Sequence, residues 1–425
     1  MAAAAAATKA FQRIRAIEPK DFVEAVAFAT GDGTGRGDVK ATLATMGCEV
    51  TAQAVSDKLA KPQTADFFKA LTTTALERYH QRLAAAADGV AIPGVRDIHL
   101  ADSSIIALRP SLAAALAGTG GDGPVAAAKL HATFNLTTGQ FSHLALTAGT
   151  TSDHAAKDAH LAVTKAGDLI LRDLGYWDVA DLERLRTSER NFVSRIPLSV
   201  THFAHAAGSF DLWADLAGER GHTKEYVVTV GKDGIEVRVI AIRVPRATAK
   251  DRAAHARKVK GRELTASETA QTKWNIYATN LEIEQASAET VRLLYSLRWQ
   301  IELLFKSLKT HLELDAVTTA KDANVAKTLI WARLMCAAVM LAVRGFFTKD
   351  DATEVGLLAW MRHVRIAIGK IQALIGAERW LALARLLATL FRCCVSAAKH
   401  SKPSSRQKVR QSVASDRKAA KGFKP

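Results

Sequence analysis

The stretch VRDIHLADSSIIAL, residues 95–108, follows the breaker pair Pro93-Gly94 and reads as a β-strand. Ile98, Leu100, Asp102 and Ile106 share one face at period two, which sets a carboxylate on the apolar side of the strand. A glycine loop, GTGGDGP (118–124), comes next. KLHATFNL (129–136) and FSHLALTAG (141–149) then flank TTGQ and read as a hairpin. SDHAAKDAHLAVTKAG (152–167) predicts a helix ending at Gly167, and LILRD (169–173) a short apolar strand ending in Asp173. DVADLERLRTSE (178–189) predicts a helix and NFVSRI (191–196) a further strand. Three strands, helix, strand, helix, strand is an order that permits a mixed sheet. Its first three strands are antiparallel, and the later ones return through helical crossovers.

Outward from this core, residues 1–95 read as helical, because DFVEAVAFAT, EVTAQAVSDKLA and TADFFKALTTTALERYHQRLAAAA space their apolar residues by three and four. GDGTGRGD (31–38) reads as a loop between the first two. Residues 197–272 interrupt the strand and helix alternation with a hairpin, EYVVTV-GKDG-IEVRVIAIRV, and a basic segment, PRATAKDRAAHARKVKGR, and read as a β-rich insertion. The strand-like NIYATNL leads to a helix over about 288–314, and apolar helices fill 315–398. The tail 399–425 is polar and strongly basic, and its composition predicts disorder.

Composition narrows the function classes. The 425 residues carry 58 Lys and Arg against 42 Asp and Glu, a net charge of +16, which favours a polyanionic partner and above all nucleic acid. The 48% apolar content suffices for a sizeable core in two or three domains. The four cysteines lack both a disulfide framework and zinc-ligand spacing, which fits a reducing compartment. The alanine-rich start lacks the features of a secretory signal. The apolar run 329–347 contains Arg333 and Arg344 and reads as a buried helix, not a membrane span. His131, His154 and His160 lack convincing metal-ligand spacing and read as structural or surface residues.

The segment VRLLYSLRWQIELLFKSLKTHLEL (291–314) carries the sharpest functional signal. At about 100° per residue, Tyr295, Arg298, Glu302, Lys306 and Lys309 fall within a sector of about 80°. Leu294, Leu297, Ile301, Leu304 and Leu308 form the adjoining core stripe. The polar row is either a solvated face of i,i+4 ion pairs or a phosphodiester grip. In the second reading the cations and phenol hold phosphates, Trp299 stacks on a base and Glu302 holds metal.

The spacing of Tyr295, Arg298, Glu302 and Lys309 resembles the Tyr-Arg-Glu-Lys signature of bacterial insertion-sequence transposases of the IS-four family. Arg298-Trp299, Ile301-Glu302 and Phe305-Lys306 also look like the family, and the resemblance spans about residues 95–345. It implies a ribonuclease-H-like catalytic domain over 96–314 carrying the 197–272 insertion. Around it lie a helical, DNA-binding N-terminal region (1–95), a helical C-terminal region (315–398) and the basic tail. The family's three catalytic acids fall on Asp102, Asp173 and Glu302, as ligands of two Mg²⁺ ions for which Mn²⁺ substitutes. Taken singly, Asp102 is also a hydrogen-bonded strand residue, and Asp173 an N-cap or turn residue.

The resemblance further implies that Tyr295, Arg298, Trp299, Lys306 and Lys309 contact DNA near the scissile bond. Trp274 lies where some relatives stack a tryptophan on a flipped base, and it reads equally as a core residue. The family often has Arg where this chain has Leu174, a departure that weakens one phosphate contact and leaves the metal ligand in place. The implied activity is cut-and-paste transposition, with terminal repeats and target DNA as partners and a homodimer in the synaptic complex. No membrane is involved, and the setting is the bacterial cytoplasm and its nucleoid. Two alternatives stay open: an inactive transposase-derived DNA-binding protein, and a nuclease of the same fold that hydrolyses without joining.

Overall fold

Parallel strands buried on both faces read as continuous apolar runs, and Leu169, Ile170 and Leu171 are such a run, all without solvent exposure. They lie in a mixed sheet whose strands are β1 (Ile98–Ala107), β2 (Ala127–Asn135), β3 (Gln140–Ala148), β4 (Leu169–Arg172), β5 (Asn191–Arg195), β6 (Phe203–His205), β7 (Gly208–Phe210), β8 (Thr223–Val230), β9 (Ile235–Arg243) and β10 (Trp274–Thr279). The strand order is β3-β2-β1-β4-β5-β10-β9-β8-β6-β7. The structure is a computed structural model and describes residues 1–11, 17–31, 36–84, 92–198, 200, 203–205, 208–231, 234–347, 357–398 and 405–422. The chain divides into two compact units, one of Met1–Asp88, Asp102–Ser152 and Gln300–Lys402, the other of Gly89–Ala101, Asp153–Trp299 and Pro403–Pro425.

In the first unit the N-terminal helices are α1 (Ala2–Ala7), α2 (Pro19–Gly31), α3 (Arg36–Thr45), α4 (Ala52–Ala60) and α5 (Pro62–Ala84). Of the expected glycine-rich loop, residues 32–35 lie outside the described residues, and 36–38 already belong to α3. Phe22, Phe67 and Phe68 form the aromatic centre of this unit, with ring centroids 5.7–6.2 Å apart. The β2–β3 hairpin closes through the turn Leu136–Gly139, where Gly139 takes φ 68° and Asn135 Oδ1 accepts from the Thr138 amide.

The helices between the strands are α6 (Lys157–Val163) and α7 (Val179–Thr187), followed by α8 (Leu212–Gly218), α9 (Arg246–Lys260), α10 (Ala266–Lys273), α11 (Ala288–Leu297), α12 (Trp299–His311) and α13 (Ala323–Phe347). Helix α13 is long and apolar enough to cross a membrane by length and composition. It is mostly buried, packing against α5, α2 and α4, as the two arginines in its sequence predict. The first unit ends with α14 (Leu357–Ile366), α15 (Ile368–Gly376) and α16 (Trp380–Ala398).

In the second unit β1 pairs with β4 and β4 with β5, both in parallel, and β10 runs antiparallel between β5 and β9. The order of β1 to β5, α6 and α7 is the one predicted from residues 95–196. The insertion supplies β6 to β9, and its basic segment folds as α9. Its sequence, RATAKDRAAHARKVK, is rich in helix formers, and Gly261 terminates it in the left-handed conformation. An apolar core of Phe192, Trp213, Val228, Val239, Trp274 and Ile276 lies under the insertion.

Two expectations need correction. Residues 405–422 of the expected disordered tail form helix α17 (Ser405–Gly422). Val409 and Val413, one turn apart, are buried, and the helix packs on α11. There Asp416 accepts from the Ser287 amide and the Thr290 hydroxyl, and so caps the start of α11. The single helix expected over 288–314 is two helices. At Arg298 the amide bonds to the Tyr295 carbonyl, a tightened i,i+3 turn that separates α11 from α12.

Candidate functional site

Ala101 on β1 pairs with Arg172 on β4, and the next residues are Asp102 and Asp173. Up to Ala101 strand β1 is buried, and from Asp102 to Ile105 it is half-buried. The Asp102 Oδ1 accepts from the Ser103 amide at 2.8 Å.

Asp173 belongs to the second unit. It stands at the N-cap of a one-turn 3₁₀ helix, Leu174–Tyr176, yet its side chain caps no amide of that turn. The carboxylate instead meets the signature residues of α11. The Tyr295 hydroxyl donates to Oδ1 at 3.4 Å, and the Arg298 Nε lies 3.7 Å from the same oxygen. Arg298 also lies over the Tyr295 ring, 5.7 Å from its centroid. Burial pushes the Tyr295 phenol up to about 12 against the opposing pull of Arg298. It therefore carries its proton at neutral pH and acts as a donor. Asp173 keeps 45% of its side chain exposed, so a ligand has access to it. Trp299 is also exposed, at 58%.

Glu302, Lys306 and Lys309 lie on α12, within the first unit. Glu302 is in the first turn, where the helix dipole favours a carboxylate. Ile301, Leu304, Phe305 and Leu308 bury the core face of α12, which leaves Glu302 half-buried and Lys306 exposed. The Lys309 Nζ donates to the Ile105 carbonyl of β1 at 2.7 Å and lies 3.8 Å from Asp315. Lys309 thus ties the helix of Glu302 to the strand of Asp102.

Trp274 is a core residue, which corrects the reading that it stacks on a base. It is 1% exposed in the apolar core beneath the insertion, and its indole N–H donates to the Leu216 carbonyl at 3.3 Å. It begins β10 with its side chain on the buried face, and the Arg243 guanidinium covers the ring at 4.4 Å. Leu174, the residue after Asp173, is 38% exposed.

At the other end of β1, Asp97, His99 and Asp168 bring ligand atoms within 4.8 Å of one another. Arg96 donates to Asp168 Oδ1 through Nε and Nη2, and the Lys165 amide donates to Oδ2. His99 Nε2 lies 3.2 Å from Oδ2. A carboxylate neutralised by a guanidinium and accepting backbone donors is a structural fastening, here of the 165–168 turn to β1.

The comparison with known proteins bears directly on this chain. The model of the transposase DDE domain family matches residues 93–339. The chain belongs to this family. The transposase for insertion sequence element IS231F of Bacillus thuringiensis subsp. israelensis is 27% identical over 284 residues, 60% of this chain and 59% of the relative. That for IS231B of Bacillus thuringiensis subsp. berliner is 25% identical over 295 residues, 63% of this chain and 62% of the relative. The putative transposase InsL for IS186A of Escherichia coli (strain K12) is 30% identical over 222 residues, 49% of this chain and 59% of the relative. The match therefore spans about three fifths of these relatives' length. Arg195 follows the registered residue Ser194 on β5 as Asp173 follows Arg172 on β4. Its signal in the sequence is a charge closing an apolar strand in NFVSRI.

Proposed function

We propose that the chain is a DNA transposase that cuts at the ends of an insertion sequence and joins them to target DNA, through a ribonuclease-H-like core. The supporting observation is the contact of Asp173 with Tyr295 and Arg298, which joins an acid of the strand order to the spaced signature. Asp102, Asp173 and Glu302 are the catalytic acids in this reading. Their donors suit a hard divalent cation such as Mg²⁺, being carboxylate oxygens alone, with Asp173 open to solvent. Bound there, two such ions would activate the attacking oxygen and stabilise the leaving one.

The chain's own groups do the positioning. Tyr295 holds its proton and orients Asp173, and Arg298 offsets that carboxylate's charge while reaching toward phosphate. Lys309, through the Ile105 carbonyl, sets Glu302 against β1 and acts as a positioning residue. Lys306 and Trp299 are exposed and available to DNA. Terminal-repeat DNA, target DNA, a homodimer holding both ends and a place in the cytoplasm on nucleoid DNA complete the proposal.

The test is cleavage of a labelled duplex carrying the element's terminal repeats, with Mg²⁺, with EDTA and with Glu302→Gln. Metal-dependent nicking that the variant loses while retaining DNA binding is the expected result. Binding without cleavage by the wild type, with Mn²⁺ as well, would replace the proposal with a non-catalytic DNA-binding role.

A further inference from the structure

Arg195 stands one strand over from Asp173. It follows directly on the registered pair Arg172 and Ser194, as Asp173 does on the other strand of that pair. On the far side, β10 sets Tyr277 opposite Arg195. Asn275 lies two residues before Tyr277, on the same face of the strand. Its Oδ1 accepts from Arg195 Nη2 at 3.4 Å and from Arg252 Nη2 of α9 at 3.1 Å. Two guanidinium groups thus converge on one neutral amide oxygen. Among the described residues neither has an ion-pair partner, and the buried Arg195 Nε has no hydrogen-bond acceptor. The neighbouring Arg292, by contrast, is held by Glu289 through both of its oxygens.

Like charges held together without a carboxylate repel each other, and a bound anion relieves that repulsion. Burial lowers the Arg252 pKa, and Arg195 lowers it further. Burial raises the Tyr277 phenol, and Arg195, Arg292 and Arg252 oppose the shift, so the same three cations bear on one uncharged donor. The donors present are guanidinium N–H groups and a phenol, the set that grips a phosphodiester oxygen.

We infer that Arg195 and Arg252, oriented by Asn275, form a second phosphate site, which holds a backbone phosphate of the DNA strand running from Asp173 across β5 and β10 to α9. The inference rests on the transposase reading and adds a contact that the Tyr-Arg-Glu-Lys signature does not contain. It also gives α9 a task. The helix has no buried residue, and Arg252 reaches from it to Asn275 of β10.

The test measures binding of the full chain to a random-sequence DNA duplex of about 30 base pairs between roughly 50 and 200 mM salt. Arg252→Gln and Arg195→Gln are compared with wild type, with thermal melting of each variant alongside. Each variant is expected to bind about tenfold more weakly at the lower salt and to reduce the slope of log K against log salt by about 1. The double variant is expected to reduce it by about 1 as well, because both side chains hold one phosphate. Melting temperatures are expected to stay at or above wild type. An unchanged slope with a lowered melting temperature would overturn the site and make the arginines structural. Metal-dependent cleavage by a wild type whose variants keep the full slope removes this site alone. A shifted slope in a protein that never cleaves leaves the site standing and removes the transposase reading. A wild type that binds no DNA overturns both.

Discussion

The Tyr295 hydroxyl donates a hydrogen bond to the Asp173 carboxylate at 3.4 Å, although the two residues are 122 apart in sequence. Because burial keeps the phenol protonated, this donor persists across the working pH range. Tyr295→Phe removes the donor and keeps the ring, which packs on Tyr277 at 5.3 Å. Its nicking rate is expected to fall about tenfold, or ~1.4 kcal/mol, the scale of one hydrogen bond to a charged group. Single-turnover nicking at saturating Mg²⁺ checks this, and an unchanged rate would leave Tyr295 a packing residue only.

Metal removal separates the three-acid reading from a plain DNA-binding role. Mg²⁺ at about ten times its dissociation constant is expected to stabilise the wild type by ~1.4 kcal/mol, an effect that EDTA abolishes. Asp102→Asn, Asp173→Asn and Glu302→Gln are each expected to lose that response. In the proposed site each substitution would relieve repulsion among carboxylates, so without metal the variants should melt at or above wild type. Calorimetry with and without EDTA reads both effects, and a full Mg²⁺ response in all three variants would show that the ion binds elsewhere.

Arg172, the residue before Asp173, makes a buried ion pair with Asp181 of α7, their side chains 2% and 0% exposed. Removing one partner strands a charge in the core. Asp181→Ala is expected to destabilise the protein by about 3–5 kcal/mol, whereas Arg172→Met combined with Asp181→Leu is expected to be nearly neutral. Urea unfolding midpoints measure both. The single variant should also lose cleavage, because Arg172 carries the backbone on which Asp173 stands.

What the sequence disclosed divides along physical lines. Period-two alternation around Asp102 and the apolar run before Asp173 report local geometry, so β1, β4 and the intervening elements were legible. The spacing of Tyr295 and Arg298 likewise pointed to a shared face, and both reach Asp173. The break at Arg298 was hidden, because one tightened hydrogen bond leaves no mark on residue type. Helix α17 was hidden for another reason. Its two valines are too few to read as an apolar face, and α11 supplies the rest of their burial. The Arg195 and Arg252 pair depends on strand register between β5 and β10 and on where α9 comes to lie, and a single sequence records neither.

Acid stability should depend on Asp168. Burial pushes its carboxyl up, but hydrogen bonds from His99, the Lys165 amide and Arg96 together hold it below the usual carboxylate range. The unfolded chain therefore binds the proton more readily than the folded one. The stabilisation is fully present above the unfolded value of about 4 and is lost as pH falls through the folded value. Asp168→Asn is expected to lower stability at neutral pH and to flatten its decline below about pH 4. Urea midpoints across that range check the slope, and parallel curves for variant and wild type would remove Asp168 from the acid transition.

Trp274 offers a direct separation of packing from recognition. As a base-stacking residue it would be dispensable for folding, and its loss would weaken DNA binding by the worth of one stacked base, about 1–3 kcal/mol. As the buried start of β10, with its N–H on the Leu216 carbonyl, it should behave in the opposite way. Trp274→Ala is expected to destabilise the fold by about 3–5 kcal/mol through the cavity it leaves. Trp274→Phe retains most of the ring volume and is expected to keep both folding and DNA affinity close to wild type. Paired measurements of unfolding and of duplex binding decide the matter. A Trp274→Phe protein that unfolds normally yet binds DNA tenfold more weakly, or by ~1.4 kcal/mol, would mean that the indole leaves the core to meet a base.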